Sequence, residues 1–262
     1  TPVYNPFSVL YYLKDQELQN YWFKSGTPTF LMRLLKQRFE SLENMSGKHI
    51  ESDGLGPFEV DNIPIVPLLY QTGYLTIKDA FYEGEKLMYT LDYPNAEVRE
   101  SFSKNLVASL ANTNIMTVNS AARDIKIALA NNDISALIET LQGLIANIPH
   151  NLHVPQERYY HSIIHAMLYL MGLQSDSEIA TSMGCLDLAI IQPHRVFIFE
   201  FKFVGTAKQA LEQIKKQRYY EKYLRLKLPI TMVGILFNYV DKRLVLDWVS
   251  SHMAGKKGRR SS

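Results

Sequence analysis

Residues 184–203 read GCLDLAIIQPHRVFIFEFKF. The second half has the pattern of a buried β-strand. Phe197, Phe199, Phe201 and Phe203 alternate with Val196 and Ile198, and alternate residues of a strand share a face. Glu200 and Lys202 continue the face that Val196 and Ile198 begin. They stand at the C-terminal end of the strand, where α/β sheets open into clefts. The phenylalanine face is expected to pack against a helix. Gln192-Pro193-His194 is turn chemistry, so the flanking runs 185–191 and 195–203 are expected to pair as a hairpin, with Asp187 beside Glu200. Two carboxylates and an ammonium would then meet at one point. Buried charges are costly without compensation, so a partner is expected. A hard divalent cation suits two carboxylates: Mg²⁺ takes one or two and keeps its other positions for water and phosphate oxygens. Such a group favours phosphodiester hydrolysis, because the metal stabilises charge on the phosphate and acidifies a bound water. A lysine nearby can orient that water or offset the charge. The same three residues also fit a structural ion pair, and Glu-x-Lys alone does not separate the readings.

The rest of the 262-residue chain sets the context. Hydrophobic residues make up 47%, enough for a sizeable core. No run of about 18 apolar residues is present, so no membrane partner is expected. No basic-then-apolar leader opens the chain, and Cys185 is its only cysteine, which together fit a reducing cytoplasm. The net charge of +2 is set by the tail: Lys256, Lys257, Arg259 and Arg260 carry four positive charges, and the remainder is at −2. Residues 254–262 are expected to be a basic disordered tail. Segment 202–227 holds eight Lys/Arg against two Glu, interleaved with Tyr219, Tyr220 and Tyr223. That mixture can follow a nucleic-acid backbone, although composition alone favours a solvated helix face.

Periodicity divides the chain near Pro149 and Pro155. Before that break, helices are expected after Asn5-Pro6 and after Thr27-Pro28, a loop over 44–60, and then a short helix ending at Gly73. A hairpin follows, with Leu75 and Ile77 on one strand, Glu83-Gly84-Glu85 at the turn, and Leu87, Tyr89 and Leu91 on the other. Helix followed by hairpin is the outline of a winged-helix module and equally of a generic α+β fragment. Residues 94–148 read as helices throughout. After the break come a helix over QERYYHSIIHAMLYLMG, strands at 177–183, 185–191 and 195–203, a helix at about 206–226, and strands in ITMVGILFN and LVLDWVS. The order α-β-β-β-α-β-β predicts a mixed sheet flanked by helices, an α/β unit within an α+β chain.

The segments ERYYHSIIHAMLYLMG, GCLDLAII, VFIFEFKF, AKQALEQIKKQRYYEKY and ITMVGILFN, in that order, resemble the PD-(D/E)xK nuclease superfamily, whose fold is that of the restriction endonucleases. They are similar to the nuclease domain fused to bacterial AAA-ATPase-like proteins. YNPFSVLYYL, YWFKSGTPTFLMRLLK, PLLYQTGYLTI and LDYPNAEVRESF resemble the lid and winged-helix region of that ATPase. The resemblance implies three parts: a C-terminal ATPase remnant over 1–150, a nuclease-like domain over 151–253, and the tail. It implies a Mg²⁺- or Mn²⁺-dependent nuclease acting on DNA rather than RNA. Asp187, Glu200, Lys202 and Gln213 would be catalytic, and Glu157, Asp187 and Glu200 would hold the metal. Lys208, Lys215, Lys216 and Tyr219 would lie along nucleic acid, with Tyr219 in a structural or phosphate-contacting role. The partners implied are nucleic acid and an upstream ATPase domain, so the chain is expected to be the C-terminal portion of a longer protein. A second copy of the chain is also kept as a candidate partner.

Two departures stand against this. The family commonly has Gly-Arg before the strand bearing the aspartate, whereas Cys185 follows Gly184 here. A catalytically silent module that binds nucleic acid or a protein is therefore the alternative. The chain also lacks a G-x-x-x-x-G-K-[ST] phosphate loop, so ATP hydrolysis is not expected of it. His161 and His165, four apart and following Glu157, have zinc-compatible spacing, but no Glu-general-base motif surrounds them and a hydrogen-bonded helix histidine is the better account of each.

Overall fold

The computed structural model describes residues 6–17, 21, 29–37, 48–56, 64–146, 163, 164, 167, 174–181, 184–240 and 243–255. The chain forms two compact units, Thr1–Ser109 and Leu110–Ser262. No helix among the described residues is long and apolar enough to cross a membrane.

In the first unit, α1 (Pro6–Asp15) begins with proline at its first helical position, where the missing N–H costs nothing. Helix α2 (Thr29–Gln37) buries Leu31, Met32 and Leu35. Helix α3 (Ile65–Gln71) stops before Gly73, whose φ of 81° only glycine adopts readily. The expected hairpin follows: β2 (Thr76–Glu83) and β3 (Lys86–Asp92) pair antiparallel around Gly84-Glu85, and α4 (Ala96–Leu110) comes next. The loop expected over 44–60 is corrected in part. Lys48–Glu51 is a strand, β1, paired antiparallel with β3, and Ser52–Leu55 is a 3-10 turn. Lys-His-Ile-Glu has too little apolar alternation to signal a strand alone. Strands β3 and β2 supply the order: His49 Nδ1 lies 3.0 Å from Thr90 Oγ1, its ring meets Phe81 of β2 edge-on at 5.1 Å, and Lys86 Nζ donates to Glu51 at 2.9 Å.

In the second unit, α5 (Ile115–Asn131) and α6 (Ile134–Ala146) are joined through Asn132, which takes the left-handed conformation at φ 55°. Asn114 caps α5 by accepting from Thr117 N, and Asp133 accepts from Ala136 N at the start of α6. The five-stranded sheet has the order β4-β5-β6-β7-β8: β4 (Gln174–Thr181), β5 (Gly184–Gln192), β6 (Arg195–Lys202), β7 (Ile230–Val240) and β8 (Arg243–Met253). Only the β6–β7 pair is parallel among these. The sheet is thus mixed, with helices packed on it, as the restriction-endonuclease-like expectation required. Ile163, Ile164 and Met167, within the helix expected before β4, are helical and buried. The helix expected at 206–226 divides into α7 (Ala207–Lys216) and α8 (Glu221–Leu224). Arg218, at φ 53°, breaks it and turns Tyr219 into the core.

The two faces of β6 are covered differently. Val196 and Ile198 lie under Leu211 and Ile214 of α7 and under Tyr219 and Tyr223. On the other face, the rings of Phe197, Phe199 and Phe201 stack in sequence, and Phe237 of β7 meets Phe201 at 5.9 Å and Phe203 at 4.5 Å. Thr231 lies opposite Phe197 and shares that face. Its buried hydroxyl donates to Asn132 Oδ1 at 2.7 Å and accepts from Arg195 at 2.9 Å, which draws the α5–α6 junction onto the phenylalanine side. At the sheet edge, the Gln142 side chain bonds Leu244 O and Leu246 N of β8, satisfying backbone groups that would otherwise be open to another strand.

Tyr74, at the end of α3, packs on Phe102 of α4 with centroids 5.5 Å apart, and burial pushes its hydroxyl up to about 12. Its pKa is above the unfolded value of about 10, so the contribution is intact below pH 10 and is lost as pH rises toward 12. Tyr74→Phe should therefore lose less stability than the parent between pH 9 and pH 11, measured by urea denaturation. Equal losses would contradict the assignment.

Candidate active site

The β5–β6 hairpin pairs Gln192 with Arg195 and runs to Leu188 opposite Phe199. One further step of that register sets Asp187 opposite Glu200, on the same face of the sheet. The ladder gives way there to a side chain. Asp187 Oδ2 accepts the Phe201 N–H at 2.8 Å, in place of a strand carbonyl. This bond turns the Asp187 carboxylate toward β6, onto the backbone N–H that follows Glu200 in sequence. Glu200 is 3% exposed, the one charged residue that is buried among those described.

Helix α7 provides the compensation. Thr206 caps it, accepting from Gln209 N while the Gln209 side chain accepts from Thr206 N, which fixes the direction in which the chain leaves β6. Ala207, Ala210, Leu211 and Ile214 form the buried stripe, and Gln213 lies at its margin, half-buried. Gln213 Nε2 donates to Glu200 Oε1, and Gln213 Oε1 accepts from Lys202 Nζ at 2.8 Å. The amide orientation follows from its partners, since an ammonium only donates and a carboxylate only accepts.

The helix can reach this position because of Gly234. Gly234 neighbours Glu200 in the parallel β6–β7 register. A Cβ there would lie 2.3 Å from Ala207 O and 2.5 Å from Leu211 N, so the α7 backbone rests on the bare floor of β7. The sequence signal for this was an isolated glycine within ITMVGILFN, which marks a close backbone approach but does not say what approaches.

Of the residues expected at the site, the structure brings Asp187, Glu200, Lys202 and Gln213 together. Glu157, His161 and His165 lie outside the described residues. Among the described residues no group of three His, Cys, Asp or Glu side chains forms a metal cluster. The acidic donors described are Asp187 and Glu200, whose oxygens have the chemistry of a hard divalent cation site rather than a zinc or redox-metal site. Lys208, Lys215 and Lys216 are exposed on α7. Tyr219 is 2% exposed and packs in the core with Ile214 and Tyr223, so it does not share their surface. Cys185 lies within β5, where it pairs with Ala180.

Comparison with known proteins finds a similarity over this region. A model of the PD-(D/E)XK nuclease superfamily matches residues 155–248, the region that holds Asp187, Glu200, Lys202 and Gln213. The chain is 34% identical over 254 residues to a protein of Azotobacter chroococcum mcd 1 described as "Uncharacterized protein in vnfD 5'region"; the match covers 94% of this chain and 49% of that protein. The chain thus spans about half the length of the curated relative it matches. No solved structure matches the chain significantly.

Gly234→Ala should lower stability by about 3 kcal/mol, because the displaced atoms are helix backbone and cannot rotate away. Gly143→Ala is the control: it sits in α6 with nothing within 4 Å of the added Cβ, and should be neutral or stabilising by about 0.5–1 kcal/mol. Denaturant unfolding of both checks this. Equal effects would contradict the close approach of α7 to β7.

Proposed function

We propose, from the superfamily match over 155–248, that this region hydrolyses phosphodiester bonds in nucleic acid, DNA rather than RNA, with Mg²⁺ or Mn²⁺ as cofactor. The observation that carries the reading is the meeting of Glu200 and Lys202 at the Gln213 amide, with the Asp187 carboxylate bonded to the neighbouring Phe201 N–H, at one end of β5 and β6. Asp187 and Glu200 would hold the cation, and Glu157 would add a third carboxylate as the family pattern implies. The bound cation supplies charge stabilisation at the phosphate and a more acidic water. Lys202 is held by Gln213 rather than neutralised by a carboxylate, so its ammonium can offset charge on the phosphate oxygens or orient the attacking water. Lys208, Lys215 and Lys216 offer backbone contacts that carry no sequence preference. Tyr219, being buried, supports α7 from below.

Residues 1–150 are proposed as the C-terminal lid and winged-helix part of an AAA-ATPase-like region, which suits a chain half the length of its relative. The sequence has no G-x-x-x-x-G-K-[ST] phosphate loop, so the proposal assigns no ATP hydrolysis to these residues. A bacterial cytoplasmic setting belongs to the same reading and rests on the single cysteine in 262 residues. The second reading, a silent module that binds nucleic acid or a protein, is favoured by one observation: Cys185 stands where the family commonly has arginine.

Purified protein incubated with plasmid and single-stranded DNA in Mg²⁺ or Mn²⁺ should cleave, and Lys202→Ala should lower the rate by at least about 100-fold. Equal cleavage by Lys202→Ala would contradict the reading. Retained DNA binding without cleavage would favour the silent module.

A further inference from the structure

Glu200 and Lys202 are two residues apart on one face of a strand, about 6.6 Å along the chain, well within the combined reach of their side chains. Glu200 is buried and Lys202 half-buried, where opposite charges attract more strongly than in bulk water. A direct ion pair is the arrangement that two such groups would adopt by themselves. Lys202 does not adopt it: its ammonium donates to the Gln213 side-chain oxygen at 2.8 Å, and the Gln213 nitrogen donates to Glu200. The amide stands between the two charges.

We propose that Gln213 is a spacer, a positioning residue that keeps the Lys202 ammonium from closing on Glu200 and so keeps that carboxylate available to a divalent cation. The proposal rests on the nuclease reading for its cation. An amide is suited to this position because it presents an acceptor to the ammonium and a donor to the carboxylate in one rigid plane. It is also neutral. A cation held by Glu200 would compete there with an amide N–H, a weaker competitor than an ammonium of opposite charge. Lys202 stays close by, held by an oxygen that can release it toward a phosphate. The spacer is set at this height over the sheet by the contact of α7 with Gly234, which fixes Gln213 against β6.

The test is Mn²⁺ affinity by isothermal titration calorimetry on the parent, Gln213→Ala, Lys202→Met and the double variant, with thermal unfolding of each in the absence of metal. Gln213→Ala should unfold near the parent temperature yet bind Mn²⁺ roughly tenfold more weakly, the loss that a competing bond of ordinary strength causes. Adding Lys202→Met should restore the affinity to within about threefold of the parent, because the competing ammonium is gone. A purely structural role for Gln213 would not be rescued by removing Lys202. Parent-like affinity in Gln213→Ala, or no rescue in the double variant, overturns the spacer and leaves the nuclease reading standing. A parent whose Mn²⁺ binding is unaffected by Asp187→Asn and Glu200→Gln overturns both.

Discussion

A carboxylate at 3% exposure constrains everything around it. Glu200 cannot be buried at the end of β6 unless donors reach it, and the chain supplies one from α7. That requirement fixes the height of α7 above the sheet, and the height requires a residue without a side chain at position 234. The capping box at Thr206 and Gln209 sets where the helix starts, and Gly234 sets how close it comes. The end of the sheet that carries the charges is therefore built by backbone contact first and by side-chain chemistry second.

The two faces of the sheet divide the work. On one, aliphatic side chains of β6 lie under α7 and give way to Glu200 and Lys202 at the strand's end. On the other, stacked phenylalanines run the length of β6, and the Thr231–Asn132–Arg195 bonds fasten the α5–α6 junction near the strand's start. The aromatic ladder buries a large area and needs no polar partners, so it can hold the sheet rigid while the opposite face carries charges. A rigid strand suits residues that must keep a fixed distance from one another and from a ligand.

Much of this was legible in the sequence, because it rests on period-two alternation and turn chemistry. The phenylalanine run, the Gln192-Pro193-His194 turn and the position of Asp187 thirteen residues before Glu200 together predicted a hairpin with both acids on one face. The resemblance to the PD-(D/E)xK superfamily singled out Gln213, which helical periodicity alone would have left on a solvated face. The parts that escaped share a physical cause: they depend on partners distant in sequence. Lys48–Glu51 is a strand because β3 is beside it. The break in the helix at Arg218 exists because Tyr219 must enter the core. The use of Asp187 to receive the Phe201 N–H follows from where the ladder ends, which no local pattern records. The resemblance set Tyr219 along nucleic acid in a structural or phosphate-contacting role, and a tyrosine among lysines gives no indication of which way its ring turns.

Cation binding at this end of the sheet requires Asp187 and Glu200 to face one shared point. Crystals grown with Mn²⁺ and measured at a wavelength where manganese scatters anomalously test it most directly. An anomalous peak is expected within about 2.2 Å of an oxygen from each carboxylate. A peak bound to one of them alone and remote from the other, or manganese located only elsewhere, would contradict it.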